Sequence, residues 1–540
     1  MKKFKKILSL ILAVVTMMSL TACFNPDDGG EEIDEGRTQI YIANYQGGVG
    51  ELYLKNLKTE YEILHPEVQV MITTKLEEFQ GDTLLGNMPY DTYDLYFLGD
   101  ADYKTMYGRG YLRDMTTVVN EKVYDDKGNL VSQGQGTKSI LDRMYPEFKS
   151  VYGLTEDGQT KYYGLPHFAP VSGLIYDADF FNDNNWFFDK DGKIGVKNTD
   201  ANIGPGPDGD YSTTYDNGEP PTWEHFMQLV KAISRKGYTA FTWSGTYEYP
   251  KVYYMQSLYV NYEGKDNANL LYTLDGEHSY LGEINPTTGK VMLEQKGIVA
   301  TVKAVKDIID SGSFSGNAFK TSTQTHTVAQ AEYISSILPG RERIAMFLEA
   351  SYWENEARLS FDELSSNPNW AYGKRNFAFM TPPRFVGTEG IDDQTNNRTT
   401  LYARALTNFI CMGKNGEQPE LAEDFLQFFL SRSSLISSMT TANSLWPYEV
   451  SFTDSEISNA TPFMKDVIET SFSDKVDIVF DENFNFFRQQ NSSYFTYMPF
   501  RTEKIDKIAY LEAFSFFHDG KSMSDYLQAI KDYGENWPVV

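Results

Sequence analysis

Between residues 39 and 72 the chain spells a strand, a helix and a second strand, and this unit constrains the fold more than any other segment. Ile40 and Ile42 alternate with polar neighbours, as in a strand that buries one face. Leu54, Leu57, Tyr61 and Leu64 then fall on one helical face, and Pro66 stops the helix. Val68, Val70 and Ile72 alternate again. A β-α-β unit this short predicts a parallel sheet in an α/β fold. Asp94-Leu95-Tyr96-Phe97-Leu98 reads as a further buried strand. Thr222, after Pro220-Pro221, is an expected N-cap for a helix carrying Phe226, Leu229, Val230 and Ile233. Three more helical faces follow: Ile298, Val302, Val305 and Ile309; Leu421, Phe425, Phe428 and Phe429; and Met523, Tyr526, Leu527 and Ile530. Turn-rich stretches at 125–136, 183–218 and 262–289 read as decorations on this core, and no internal repeat is present.

The chain starts with an export signal. Lys2, Lys3, Lys5 and Lys6 precede an apolar run at 7–20, which is short of the ~20 residues that span a bilayer but suits a signal peptide. Leu20-Thr21-Ala22-Cys23 follows, and the whole resembles a bacterial lipoprotein signal whose Cys23 is acylated after cleavage. Residues 1–22 are therefore assigned to the signal peptide, and 23–36, acidic and without periodicity, to a flexible lipid-anchored tether. An ordinary secretory signal that ends in Cys is the plainer alternative. No later run of about 18 apolar residues occurs, so the remainder is expected outside the membrane.

Charge narrows the partners. Over 540 residues, 48 Lys and Arg stand against 75 Asp and Glu, a formal charge of −27, which repels phosphate backbones and argues against nucleic acid. Two cysteines exclude a disulfide scaffold and any CxxC zinc or redox site. Cys411 follows an apolar stretch and reads as a core residue.

Enzyme motifs are missing. There is no GxxxxGK[ST], GxSxG or HExxH. Gly204-Pro205-Gly206-Pro207-Asp208-Gly209 formally spells GxGxxG, but two prolines and a polar setting disqualify it. The six histidines show no pair at metal-ligand spacing. Asp189-Lys190-Asp191-Gly192-Lys193 has part of a calcium loop without the third acidic position or the distal Glu, so a hairpin turn is the simpler reading. A glycosidase carboxylate pair is not distinguished by any local signal. No cofactor and no metal are implied.

Motifs in order along the chain then resemble a known family. Asn44-Tyr45-Gln46-Gly47-Gly48 precedes a helix ending Tyr61-Glu62-Ile63-Leu64-His65-Pro66, and Tyr93-Asp94-Leu95 leads to Leu112-Arg113-Asp114-Met115-Thr116. Tyr163-Gly164-Leu165-Pro166-His167 is followed by Gly173-Leu174-Ile175-Tyr176-Asp177 and Phe180-Phe181, with Asp177 where the family has Asn. Pro221-Thr222-Trp223-Glu224-His225-Phe226 comes next, then Ala345-Met346-Phe347 leading to Ser351-Tyr352-Trp353, with Ala350 and Ser351 where a Gly is usual. Ala422-Glu423-Asp424-Phe425-Leu426-Gln427-Phe428-Phe429 completes the series. The set resembles the family 1 extracellular solute-binding proteins, the maltose-binding-protein-like receptors of bacterial ABC importers.

The resemblance implies a two-lobed periplasmic-binding-protein-like fold (type II), with the ligand cleft between α/β lobes. It implies 37–167 and 371–432 as lobe 1, and 168–370 and 433–540 as lobe 2. Candidate ligand residues by family position or by loop placement are Trp353, His167, Asp100, Trp243, Tyr247, Trp446, Asn44 and Gln46. Trp353 is expected to act as a stacking platform. The expected function is capture of an oligosaccharide without catalysis, by a monomer lipid-anchored on the outer face of the cytoplasmic membrane. Its partners would be a permease and an ATPase. An exported carbohydrate-active enzyme, or a receptor for a peptide or other small solute, is the alternative.

Overall fold

The computed structural model describes residues 31–211, 217–386, 399–405, 407–480 and 512–534. The signal peptide, Cys23 and the first part of the tether lie outside the described residues. The main strands are β1 (Thr38–Tyr45), β2 (Val68–Lys75), β3 (Leu95–Leu98), β4 (Leu165–Pro166), β5 (Ser172–Asp177), β6 (Thr239–Thr242), β7 (Ile344–Ala350), β8 (Phe377–Met380), β9 (Thr399–Ala403), β10 (Phe409–Met412) and β11 (Val476–Phe480).

Two mixed sheets result. The first runs β2-β1-β3-β10-β4, and the second β6-β7-β5-β8. In the first, β1 lies parallel to β2, Ile40 beside Val70, and parallel to β3, Ile42 beside Leu95. The expected β-α-β unit is present, its crossover being α1 (Leu52–Leu64). Tyr53, Leu54, Leu57 and Tyr61 are buried, whereas Leu64 in the last turn is exposed. The sheet stops being parallel at β10, which pairs antiparallel with both β3 and β4. In the second sheet β6 and β7 are parallel, and β5 is antiparallel to β7 and β8.

Helix α2 (Trp223–Arg235) forms as expected, with the Thr222 hydroxyl accepting from the His225 amide. Its buried stripe of Phe226, Leu229, Val230 and Ile233 follows the sequence pattern. The stretch 262–289 departs from expectation. Its first part belongs to α3 (Tyr249–Thr273), which continues across a break at Gly264, φ 76°. Val252, Tyr253, Met255, Leu258, Tyr259 and Val260 are all buried, so this helix is enclosed on nearly every side and shows no one-sided stripe.

Lobe boundaries also shift. The sequence boundary at 371 precedes β8, yet β8 pairs with β5 in the second sheet, so that crossing falls after Met380. The boundary at 432 precedes α8 (Arg432–Ala442), whose N-terminal amide, on Arg432, donates to Gly128 O in the first lobe. Helix α9 (Pro462–Ser471) is on the second lobe, where Asp466 accepts from the Phe379 amide of β8 at 2.7 Å. The final crossing therefore lies between 443 and 461. Backbone pairing decides membership, and pairing partners far along the chain leave no local signature.

The crossings bind to each other. His167 N donates to Asn408 O at 3.0 Å, Arg404 N to Pro170 O at 3.2 Å, and Ala169 N to Leu445 O at 2.8 Å. The Asn408 side chain donates to Phe168 O at 3.1 Å.

Trp353 opens the short helix α6 (Trp353–Glu356) and is fully buried. Its ring centroid lies 5.0 Å from Phe377, 5.7 Å from Phe463 and 5.8 Å from Phe347. Trp353→Ala would leave a cavity there and is expected to cost about 3–5 kcal/mol of stability. Chemical denaturation checks this: a loss below about 1 kcal/mol would mean the pocket collapses or the packing is dispensable.

Candidate functional site

Parallel strands leave their C-terminal ends facing a common crevice, where ligands bind in α/β sheets. In this chain β1 and β3 from the first lobe, and β6 and β7 from the second, deliver Tyr45, Asp100, the 243–249 loop and 351–353 towards the space between the lobes. That space holds a cavity of about 380 Å³ lined by Asp100, Arg404, Thr246, Tyr247, Glu248, Tyr249 and Tyr253.

Each wall has a local cause. Asp100 follows β3 in the left-handed region, φ 54°, a conformation that few side chains adopt and Asp tolerates. It makes an ion pair with Arg404, which also donates to Thr407 Oγ1 at 3.1 Å. The opposite wall is shaped by a tight loop. Gly245 and Thr246 amides both donate to Gln324 O, and the Tyr247 amide donates to Ser244 Oγ at 3.1 Å. A Cβ on Gly245 would sit 2.7 Å from the Lys320 backbone, so only glycine fits. Pro250 then starts α3 in its first turn, and the rings of Tyr247 and Tyr249 stand 6.0 Å apart. Tyr45 lies over Gly99, where an added Cβ would meet its ring at 2.6 Å. Burial pushes the Tyr45 phenol up against the opposing pull of Arg404. The arrangement offers flat aromatic faces and a polar pair, suited to holding a ligand by stacking and hydrogen bonds.

Of the residues proposed from sequence, Asp100 and Tyr247 meet at this cavity. Tyr247 is exposed. Gln46 is exposed at the end of β1. Asn44 is fully buried and structural in its contacts, donating to Gly50 O and accepting from Tyr53 OH at 3.1 Å. His167 is enclosed by Tyr53, Phe97 and Trp446, with Nε2 3.0 Å from Tyr53 OH, and burial pushes its pKa down to about 3. Trp446 packs on Tyr53, and Trp243 among Phe314, Phe319 and Phe514. With Trp353, these indoles are buried and turn no ring face to the cavity. Arg404, Tyr249, Tyr253 and Tyr45 were not anticipated. Tyr249 lies in the same loop as Tyr247, Tyr253 follows it, and Tyr45 sits between two chosen residues, so proximity was the available signal. Arg404 had none.

Asp189 stands in a hairpin turn between Phe187–Phe188 and Ile194–Val196, its Oδ1 accepting from the amides of Asp191 and Lys193. Among the described residues no group of three or more His, Cys, Asp or Glu is placed to hold a metal. Nor is any described helix long and apolar enough to cross a membrane.

The family model described as bacterial extracellular solute-binding protein matches residues 72–465. The chain belongs to that family. Solved structures agree on the fold. The apo-form of RafE from Streptococcus pneumoniae is 15% identical, with a TM-score of 0.55 over 94% of this chain and 99% of its own. Maltose-bound T. maritima MalE3 is 14% identical, with a TM-score of 0.54 over 93% of this chain and 99% of its own. A protein from a study of xylan utilization by Caldanaerobius polysaccharolyticus is 13% identical, with a TM-score of 0.55 over 92% and 99%. No curated protein sequence matches. The two-lobed type II fold is thereby shown, and the family and these neighbours are binding proteins rather than enzymes.

In this solute-binding protein several buried acids couple stability to pH. Burial raises Glu354 to about 7 and Asp466 to about 7, against 4.5 and 3.8 for free groups. A raised folded pKa contributes stability that is fully present below the free value and lost as pH rises through 7. His167 acts oppositely, its contribution disappearing as pH falls from 6.5 towards about 3. Glu354 accepts from Asn443 Nδ2 at 3.1 Å and Thr461 Oγ1 at 2.5 Å, bonds that a glutamine oxygen preserves. Glu354→Gln is expected to flatten the fall of the unfolding midpoint between about pH 5 and pH 8. An unchanged slope in the variant would remove Glu354 from this account.

Proposed function

We propose that this protein is the lipid-anchored receptor of an ABC importer and captures an oligosaccharide between its lobes. The observation that carries this reading is the cavity that joins Asp100 of one lobe, Tyr247 and Tyr249 of the other, and Arg404 of a crossing segment. Tyrosine rings suit the apolar faces of sugars, and the Asp100–Arg404 pair suits their hydroxyls. A ligand touching both lobes stabilises the closed arrangement, and capture followed by release needs no bond made or broken. The neighbours described with raffinose, maltose and a chitin oligosaccharide support a sugar, at 13–14% identity. Permease and ATPase are the partners this role requires. Anchoring through Cys23 on the extracellular face follows from the lipobox and lies outside the described residues.

Binding stabilises by RT ln(1 + [L]/Kd), so a thermal-shift screen of raffinose, malto-, xylo- and chito-oligosaccharides against short peptides separates the ligand classes. An upshift with at least one neutral oligosaccharide, and none with peptides, is expected. A shift with peptides alone would replace the sugar reading, and turnover of the bound sugar, seen by chromatography, would make the protein an enzyme.

Cys23→Ala is expected to move the protein from the membrane to the soluble fraction or leave it uncleaved. Equal lipid labelling of the variant would refute the anchor.

A further inference from the structure

Behind the tyrosine wall of the cleft lies a cluster that capture as such does not require. It comprises His326 at the start of α5 (His326–Ser335), Glu356 in α6 and Glu349 in β7. The His326 ring stands 5.3 Å from Tyr247 and 6.3 Å from Tyr249, and its Nε2 is 3.4 Å from Glu356 Oε1. Gln330 Nε2 donates to Glu356 Oε2 at 2.5 Å, and Glu349 Oε1 accepts from the Ala350 amide at 3.0 Å. Glu349 is 1% exposed, and its Oε2, His326 Nδ1, Gln330 Oε1 and Thr246 Oγ1 are buried without a hydrogen-bond partner. A buried acid so placed retains its proton far more readily than an exposed one.

Other charges do not neutralise the cluster. Glu332, on the same helix as His326, faces Thr242, Ser315, Asn317 and Gln324 instead. On the cleft side the rings of Tyr247 and Tyr249 stand against His326, and Glu248, Asp100 and Arg404 line the cavity itself. Arg404 is already paired with Asp100.

We propose that His326, Glu356 and Glu349 form the specificity-determining inner wall of the cleft. With its protons in place the wall carries no net charge and supports a neutral polyhydroxylated ligand. Loss of both protons makes it dianionic and weakens binding. With His326 an imidazolium, Glu356 ionised and Glu349 neutral, the net charge is zero, and deprotonation of His326 and Glu349 leaves two carboxylates behind the tyrosines. Burial opposes the charged form of His326, but the hydrogen bond and charge of Glu356 prevail and raise it above 6.5. Burial, then Glu356, raises Glu349 to about 8. The Glu349 proton therefore leaves on the alkaline side of neutrality, and that of His326 at a higher pH than from a free imidazole. A sugar bearing carboxylate or sulfate is disfavoured further once the wall is dianionic.

His326, Glu356 and Glu349 act here as positioning residues, through the rings they support. The proposal rests on the sugar reading of the cleft, and its test has two arms. Without ligand, the imidazole of His326, assigned by loss of its signal in His326→Gln, is titrated by NMR in full-length mature protein. It is expected above 6.5, with a clear downward shift in Glu356→Gln. A value at or below 6.5 that Glu356→Gln leaves unmoved would overturn the proposal. With raffinose, maltotriose and xylotriose as probes, calorimetric affinity should fall roughly tenfold between neutrality and about pH 9. Glu349→Gln, which keeps the shape and cannot ionise, should reduce that fall, because the wall then loses one proton instead of two. An equal fall in Glu349→Gln, or an affinity independent of pH in the parent, would overturn it. If none of the sugars binds while His326 titrates as expected, the sugar reading fails and the coupled wall stands.

Discussion

Everything in this molecule depends on the hydrogen bonds between its crossing segments. The segment 167–171 runs antiparallel to the chain at Ala403, Arg404 and Asn408, joined through His167 to Asn408 and Pro170 to Arg404, and Leu445 closes on Ala169 from a further crossing. Crossings bonded in this way favour rotation of the lobes about an axis through them over a slide, which would break several backbone bonds at once. One of these segments also carries Arg404, so a group that joins the lobes reaches directly into the cleft. Lobe geometry and the position of the cleft cation are set by the same backbone.

His167 illustrates how the seat of that axis is made rigid. Packed against Tyr53, Phe97, Phe168 and Trp446, it is held neutral by burial. A charged imidazole there would be costly, and a neutral one serves as a flat filler with one polar contact. Across the cleft, Asn355 donates to the carbonyls of Gly48 and Val49, and Tyr352 lies on Gly48, where no side chain has room. These contacts give the second lobe a defined place against the first.

Tyrosines fill the core as well as the cleft, but the cleft takes tyrosine alone of the two large polar-edged rings. Trp223, Trp243, Trp353 and Trp446 are all buried, whereas the cavity is walled by Tyr247, Tyr249 and Tyr253. Tyrosine presents an apolar ring and a hydroxyl that water or a ligand satisfies, so it tolerates the boundary between core and solvent. Tryptophan gains more from full enclosure, and the family-like position of Trp353 is used for packing among phenylalanines. A motif can thus preserve a ring while the surrounding packing decides which way it faces.

Local periodicity was enough to determine the β-α-β entry at 39–72, the strand at 95–98, the N-cap at Thr222 and the buried faces of the helices at 296–311 and 419–429, because period and capping are properties of neighbouring residues. The series of motifs extended this to a two-lobed architecture. Asp100 and Tyr247 were legible for the same reason, each lying in a loop directly after a recognisable strand. Tertiary structure alone decided the rest. The placement of β8 in the second sheet depends on pairing with β5 some 200 residues away, a number that only the register reveals. Helix α3 escaped notice because burial on all sides erases the stripe that announces a helix. Arg404 acquires its role from Asp100, brought close only when the chain crosses between lobes, and His326 from Glu356, on a different element of the same lobe. Sequence specifies what each segment is; the contacts made across hundreds of residues specify which side chains meet in the cleft.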